Sequence, residues 1–197
     1  YPILDYNTKF AAWVTGKTHI EGWGSGGLTK AQVAQVQEKY PDLNMHVVNY
    51  NHISMVTMNP VRPPFDSWKV RWAVHLAMDR GAWDLFNTIG DLKMSTPMYF
   101  FHPISSWGRT LDEFKDEVGY RWDKDEDIAE ANRILDDEFG PGVRPSGIQN
   151  AIYTLISRRE PGVFAQEQML KHLNWEFNAE LLERGASSQN FKQRTWQ

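Results

Sequence analysis

The residue pattern of this chain predicts an α/β domain with a mixed sheet flanked by helices. Short β-rich runs alternate with segments of helical periodicity, which is the order expected of such a fold. Hydrophobic residues make up 41% of the chain and charged residues 23%, so neither disorder nor a fibrous repeat is indicated. With 197 residues the chain can bury a substantial core, and we expect a single domain.

The first part of the chain is predicted to contain two helices and three short strands. The first helix places Phe10, Trp13 and Val14 on one face and has Gly16 positioned to end it, while Pro41 closes the second. The helices are predicted at residues 9–15 and 28–40, and the strands at residues 19–23, 45–51 and 53–58.

A proline-rich turn followed by an amphipathic helix is the strongest pattern in the chain. Three prolines in five residues, 60–64, exclude a helix or a central strand there, and Asp66 is the predicted cap of the helix that follows. Apolar residues then recur at helical spacing, so the helix is expected to dock on the core through one stripe. The stripe comprises Val70, Ala73, Val74, Ala77 and Met78.

The second half of the chain is predicted to begin with a long loop, residues 90–110, that carries the aromatic cluster 99–102. Beyond it, the helix at 163–173 should face the core with Met169, Leu170 and Leu173. The remaining predicted elements are a helix at 127–139, a break at 140–147, a strand at 148–157, a half-buried strand at 175–179 and a last strand at 191–196.

Composition excludes several classes of function. The chain has no cysteine, which rules out disulfides, zinc-thiolate sites and thiol catalysis. The net charge of −4 and the scattered basic residues provide no electrostatic footprint for nucleic acid or for an anionic membrane, so neither is an expected partner. A start at Tyr1, with no Met and no leader pattern, suggests a piece cut from a longer parent.

The glycine-rich stretch Gly22–Gly27 satisfies the G-x-G-x-x-G pattern of dinucleotide-binding loops. The strand before it is short and carries Lys17, His19 and Glu21, whereas a central parallel strand should be almost continuously apolar. A flexible loop bordering a cleft is therefore the preferred interpretation, and a nucleotide-dependent enzyme that uses this loop remains the alternative.

Two candidate metal sites fail on spacing, and we expect no metal and no cofactor. Asp123, Asp125 and Asp127 imitate the start of a calcium loop, but isoleucines occupy the positions that need Gly and Glu, so helix capping by Asp125 or Asp127 explains them better. His46 and His52, if on one straight strand, lie roughly 20 Å apart.

No motif for nucleophilic, zinc-dependent or phosphate chemistry is present, so the chain is not expected to be an enzyme. Nine tryptophans in 197 residues is a high number. Most should lie in the core, but exposed ones could stack on sugars, which keeps a carbohydrate-binding domain as a further alternative.

The sequence of residues 59–80 resembles that of a known family. Asn59, the turn Pro63-Pro64-Phe65-Asp66 and the helical sequences Val70-Arg71-Trp72-Ala73 and Ala77-Met78-Asp79-Arg80 stand in that order. Together they resemble the family 5 extracellular solute-binding proteins of peptide and nickel ABC transporters. Weaker matches continue in family order from about Phe10 to Trp196.

The resemblance implies an architecture and a function. Residues 1–197 would form one α/β lobe of a type II periplasmic-binding-protein fold, corresponding to most of the second lobe of a larger two-lobe protein. The chain would belong to the substrate-binding component of an ABC importer and would capture an oligopeptide or similar solute between two lobes. Its partners would be that solute, the membrane permease and the missing first lobe of the parent chain, in a periplasmic or cell-surface location.

Ligand contacts are expected in three places outside the resembling helix. In the family the glycine loop lies at the mouth between the lobes, which makes Trp23 and Ser25 candidates. The aromatic part of the long loop contributes Tyr99, Phe101 and His102. Trp196 resembles the tryptophan that ends a cleft-lining strand in the family, and it completes the predicted ligand-binding set.

Overall fold

Helices dominate the part of the chain that the computed structural model describes, namely residues 6–17, 30–44, 56–82, 111–153, 160–182, 189 and 192–193. Its main helices are α1 (Tyr6–Val14), α2 (Lys30–Lys39), α3 (Trp68–Ala77), α4 (Leu111–Phe114), α5 (Asp125–Phe139) and α6 (Glu160–Leu173), and residues 80–82 are helical as well. The two strands are β1 (Ile148–Tyr153) and β2 (Phe177–Leu182). None of the described helices is both long enough and apolar enough to cross a membrane.

The predicted mixed sheet is wrong. Within the described residues, β1 and β2 form a two-stranded parallel sheet, with Ile148 opposite Phe177 and α6 as the crossover between them. The described part is mostly helical and has this single strand pair, which does not fit an α/β lobe of a type II periplasmic-binding-protein fold. The predicted strand 53–58 shows the reason, because residues 56–58 are described and have no regular structure. Residues of high β-propensity become a strand only when a neighbouring strand pairs with them.

The core lies where α3 packs on α5 and α6, and the strand pair adds its first residues to the same cluster. The predicted stripe on α3 is confirmed, since four of its five residues are buried and Met78 is partly buried against the cluster. The buried residues of this core are Phe65, Val70, Ala73, Val74, Leu76, Ala77, Ala131, Ile134, Leu135, Ile148, Met169, Leu173, Trp175 and Phe177.

Trp175 is the largest fully buried side chain in this core. Its ring lies 5.1 Å from that of Phe177 and 5.9 Å from that of Phe65, and its indole N–H donates to the carbonyl of Pro145 at 2.8 Å. The alternation predicted for this stretch is confirmed, with Trp175 and Phe177 buried and the residues between and after them exposed. Trp175 itself precedes the strand.

We expect Trp175→Phe to lower the free energy of unfolding by about 2 kcal/mol, because it leaves a small cavity and removes the hydrogen bond to Pro145. Urea denaturation monitored by far-UV circular dichroism measures the change. Trp122→Phe is the matched control, since Trp122 is about half exposed and should tolerate the change. Equal losses in the two variants would contradict a central packing role for Trp175.

The start of α3 differs from the prediction by one residue. Ser67, not Asp66, occupies the N-cap position, and its side chain makes no capping bond to the helix; instead it donates to Glu138 Oε2 at 3.0 Å. Asp66 accepts the amide of Ser67, and Arg71 turns back to donate to the carbonyl of Phe65 at 2.6 Å. Contacts from Arg71 of α3 and Glu138 of α5 therefore hold the turn in place.

Three details of the second half are corrected. Leu170 was predicted to face the core with Met169 and Leu173, but it is 53% exposed, whereas the other two are buried. The capping role predicted for Asp125 or Asp127 is also wrong, because Lys124 occupies the N-cap position of α5 and Asp127 is buried. Residues 192–193 are helical, which does not fit the last predicted strand.

The first part of the chain agrees with its predicted helices where it is described. The first helix begins earlier than predicted and ends at Val14, after which Gly16 adopts a φ of 73° that suits glycine. The Tyr40 hydroxyl, just after α2, donates to the carbonyl of Val14 at 2.6 Å and ties the two helices together. Predictions for residues 18–29, 45–55, 83–110 and 154–159 lie outside the described residues.

Candidate functional site

The six ligand contacts predicted from the sequence lie outside the described residues. These are Trp23, Ser25, Tyr99, Phe101, His102 and Trp196. The same holds for the whole Gly22–Gly27 loop and for His46 and His52. The structure therefore places none of them, and they remain predictions.

Among the described residues, buried charge concentrates beside the carboxyl end of α3. We call this group the His75 cluster, and it comprises His75, Arg80, Gly119, Tyr120, Lys124 and Asp127. It joins α3 to the first turn of α5 through the intervening segment 115–124.

Asp127 is the anionic centre of the His75 cluster, with a fully buried carboxylate. One oxygen, Oδ2, accepts from Lys124 Nζ at 2.8 Å and from the amide of Gly119 at 3.0 Å. The other, Oδ1, accepts from Arg121 at 3.0 Å. Burial lowers the pKa of Lys124, whose side chain is only 5% exposed, and the bond to Asp127 opposes that effect.

Arg80 connects the end of α3 to the 115–124 segment. Its guanidinium donates to the carbonyls of His75 and Gly119, at 3.2 and 2.7 Å, and lies 4.7 Å from the centre of the Tyr120 ring. Burial lowers the pKa of Arg80, although an arginine stays charged at any ordinary pH. The contacts satisfy a largely buried cation with carbonyl oxygens and an aromatic face.

His75 fills the space between α3 and the segment. Its ring stacks on Trp72, with centroids 4.8 Å apart, and meets Tyr120 edge-on at 5.3 Å. Its Nδ1 lies 3.0 Å from Arg80 Nη2. Burial, with a smaller contribution from Arg80, lowers the pKa of His75 to about 4, so the ring is neutral near pH 7. Because Nδ1 is already engaged by a guanidinium, the arrangement positions the ring and offers no free base.

A second feature is an open groove of about 600 Å³ beside the proline-rich turn. Its walls are the turn, the end of α5 and the residues that lead into β1. The lining residues are Pro63, Pro64, Asp66, Ser67, Glu138, Phe139, Pro145, Ser146 and Ile148. Glu138 is already engaged by Lys69 and Ser67, whose hydrogen bonds hold its pKa below the usual range. The groove therefore combines proline and phenylalanine surfaces with the exposed carboxylate of Asp66, which would suit an apolar ligand bearing a positive charge.

The described residues contain no group of three or more His, Asp or Glu side chains arranged to hold a metal ion. Sequence reasoning missed the His75 cluster because its members are separated along the chain. One signal in the sequence could have indicated it, namely Lys124 and Asp127 at the predicted start of a helix. Residues three apart on a helix can form an ion pair, and such a pair explains Asp127 as well as capping does.

A comparison with known protein families finds no family model that matches this chain, and a comparison with curated proteins finds none that matches it either.

Proposed function

We propose that this chain belongs to the substrate-binding component of an ABC importer and that it helps to capture an oligopeptide or similar small solute. The proposal rests on the resemblance of residues 59–80 to family 5 solute-binding proteins. One structural observation supports it: several residues that carry the resemblance make specific contacts that hold this part of the fold.

These contacts run through the whole segment. Asn59 is 2% exposed and its side-chain oxygen accepts the amide of Val61 at 3.3 Å. Phe65 packs on Trp175 and Phe177, and Arg71 donates to the carbonyls of Phe65 and Asp66. These contacts hold the turn and the start of α3 in place, which is the scaffold role expected of a segment outside the ligand site.

The same contacts assign a supporting role to the segment. Arg71 and Arg80 donate to backbone carbonyls within the fold, so their described contacts hold the segment in place. The ligand would be held instead by the glycine loop, by the aromatic loop with Tyr99, Phe101 and His102, and by Trp196. The described groove beside the proline-rich turn offers a further apolar surface.

The proposed mechanism involves no covalent chemistry. The solute would be captured between this part of the protein and a further lobe of the same parent chain, then passed to a membrane permease after hinge closure. The protein would act outside the cytoplasmic membrane, in the periplasm or at the cell surface.

Isothermal titration calorimetry with mixed tripeptides to pentapeptides tests the proposal. We expect the present chain to bind weakly or not at all, because one wall of the site would be absent, and the longer parent protein to bind with a measurable enthalpy. Tight peptide binding by this chain alone would refute the two-lobe mechanism. A parent protein that binds no peptide, or whose reading frame lacks an export leader, would refute the importer function.

A carbohydrate-binding domain is the second candidate, and one observation favours it. Trp68 is 65% exposed, and it lies one helical turn from Trp72, which is also exposed. Exposed tryptophan rings can stack on sugar faces. The same titration with oligosaccharides in place of peptides decides between the two candidates, since heat released by a glycan and abolished in Trp68→Ala would favour carbohydrate binding.

A further inference from the structure

The contact between His75 and Arg80 defines which ring nitrogen carries a proton. A guanidinium can only donate hydrogen bonds, so the 3.0 Å contact with Arg80 Nη2 requires His75 Nδ1 to be the acceptor. The single proton of the neutral ring therefore lies on Nε2. A second proton would have to enter at Nδ1, where it would point directly at another donor.

Protonation would also add a positive charge to a group of cations. The described groups around the His75 ring come from the residues after α3, from the 115–124 segment and from α5. They are Arg80, then Tyr120 and Lys124, and finally Asp127. Asp79 interacts with Lys124, and Arg121 bonds to Asp127. Asp127 already accepts from Arg121 and Lys124, and Asp79 accepts the amide of Ala82, so both carboxylates are in use.

The His75–Arg80 contact also holds the 115–124 segment. Arg80 reaches the carbonyl of Gly119 at 2.7 Å with the same guanidinium that bonds to Nδ1. The backbone of Gly119 lies so close to the imidazole that a β carbon there would overlap it. Movement of either His75 or Arg80 would therefore remove the main support of the segment on the α3 side.

We propose that His75 is an acid-sensitive latch, whose protonation at Nδ1 breaks the contact with Arg80 and releases the 115–124 segment from the end of α3. The latch is independent of the proposed transport function. It makes the docking of one segment depend on a single proton.

The direction of the pH dependence follows from the lowered pKa of His75, which is about 4 in the folded protein against about 6.5 for an unperturbed ring. As the pH falls, His75 is protonated in the open form at a higher pH than in the docked form. The contribution of His75 to docking is therefore complete above about pH 6.5 and decreases as the pH falls toward about 4. Below that pH the contribution does not change further. Because the ring is partly exposed, we expect the opening equilibrium to rise roughly 10- to 100-fold across this range.

Hydrogen exchange of the full chain at about pH 7 and about pH 4, corrected for the intrinsic pH dependence of exchange, measures the opening. From about pH 7 to about pH 4, the protection factor of peptides that contain residues 115–124 should fall by roughly 10- to 100-fold more than that of peptides from α5. His75→Gln should abolish this difference, because a carboxamide oxygen accepts from Arg80 at either pH. An unchanged difference in His75→Gln would overturn the latch.

His172→Gln is the matched control. His172 Nδ1 lies 2.7 Å from the carbonyl of Ala77, which can only accept, so this nitrogen already carries a proton and a second proton would not break the bond. The pH response should survive in this variant. If His75→Gln does not fold, NMR titration of the His75 ring in the unchanged protein decides: protonation near pH 4, with Nδ1 unprotonated above it, supports the latch, and a pKa at or above 6.5 overturns it.

Discussion

Replacing Gly119 with alanine is expected to lower the free energy of unfolding by about 3 kcal/mol, the sum of a backbone and a packing effect. Gly119 has a φ of 83°, which strains any residue that has a β carbon. The added methyl group would also overlap Nε2 of His75, which is stacked on Trp72 and cannot move without disturbing it. Urea denaturation at about pH 7 provides the measurement.

Gly142→Ala separates the two effects. Gly142 also has a positive φ, 70°, but no described atom lies within 4 Å of the position its β carbon would take. Its variant should therefore lose only the backbone contribution, about 1 kcal/mol. If Gly119→Ala costs no more than Gly142→Ala, the close approach between Gly119 and His75 does not contribute to stability.

Replacing Asp127 with asparagine is expected to lower the free energy of unfolding by about 4 kcal/mol, because it leaves a buried ammonium without its counter-charge. Asparagine has nearly the same shape and could still accept the amide of Gly119. It cannot balance Lys124, whose side chain is 5% exposed and whose Nζ lies 2.8 Å from the carboxylate. The loss should appear in the same denaturation experiment as a shift of the midpoint.

Asp137→Asn provides the control on the same helix. Asp137 pairs with Arg133 at 2.7 Å, but both side chains are well exposed, so water replaces the lost interaction and we expect almost no change. The double variant Lys124→Met with Asp127→Asn should recover part of the loss, because the orphaned charge is then absent. Equal stabilities of Asp127→Asn and Asp137→Asn would contradict a buried role for this carboxylate.

Helix periodicity proved the most informative part of the sequence. The stripe on α3 and the alternation of Trp175 and Phe177 both appear in the structure. The residues of each pattern lie close together along the chain, within a single helix or a single short segment. Burial of one face is therefore visible before any partner is known.

The errors arose where the outcome depended on distant residues. Leu170 follows Met169 directly, yet only Met169 meets the core, because the face of α6 that is buried carries Ala165, Met169 and Leu173. Asp127 was expected to cap a helix, but Lys124 and Gly119 draw its carboxylate inward. The six predicted ligand contacts lie outside the described ranges, so they stay predictions.

The sequence by itself determined where the main helices lie, which of their faces are apolar, and that cysteine chemistry is absent. Only the tertiary structure decided that the described strands form a single parallel pair and not a mixed sheet. It also brought His75, Arg80 and Asp127 into one cluster. The physical reason is that periodicity is a local property of the chain, whereas strand pairing and the balance of buried charge depend on groups that meet only when distant segments pack together.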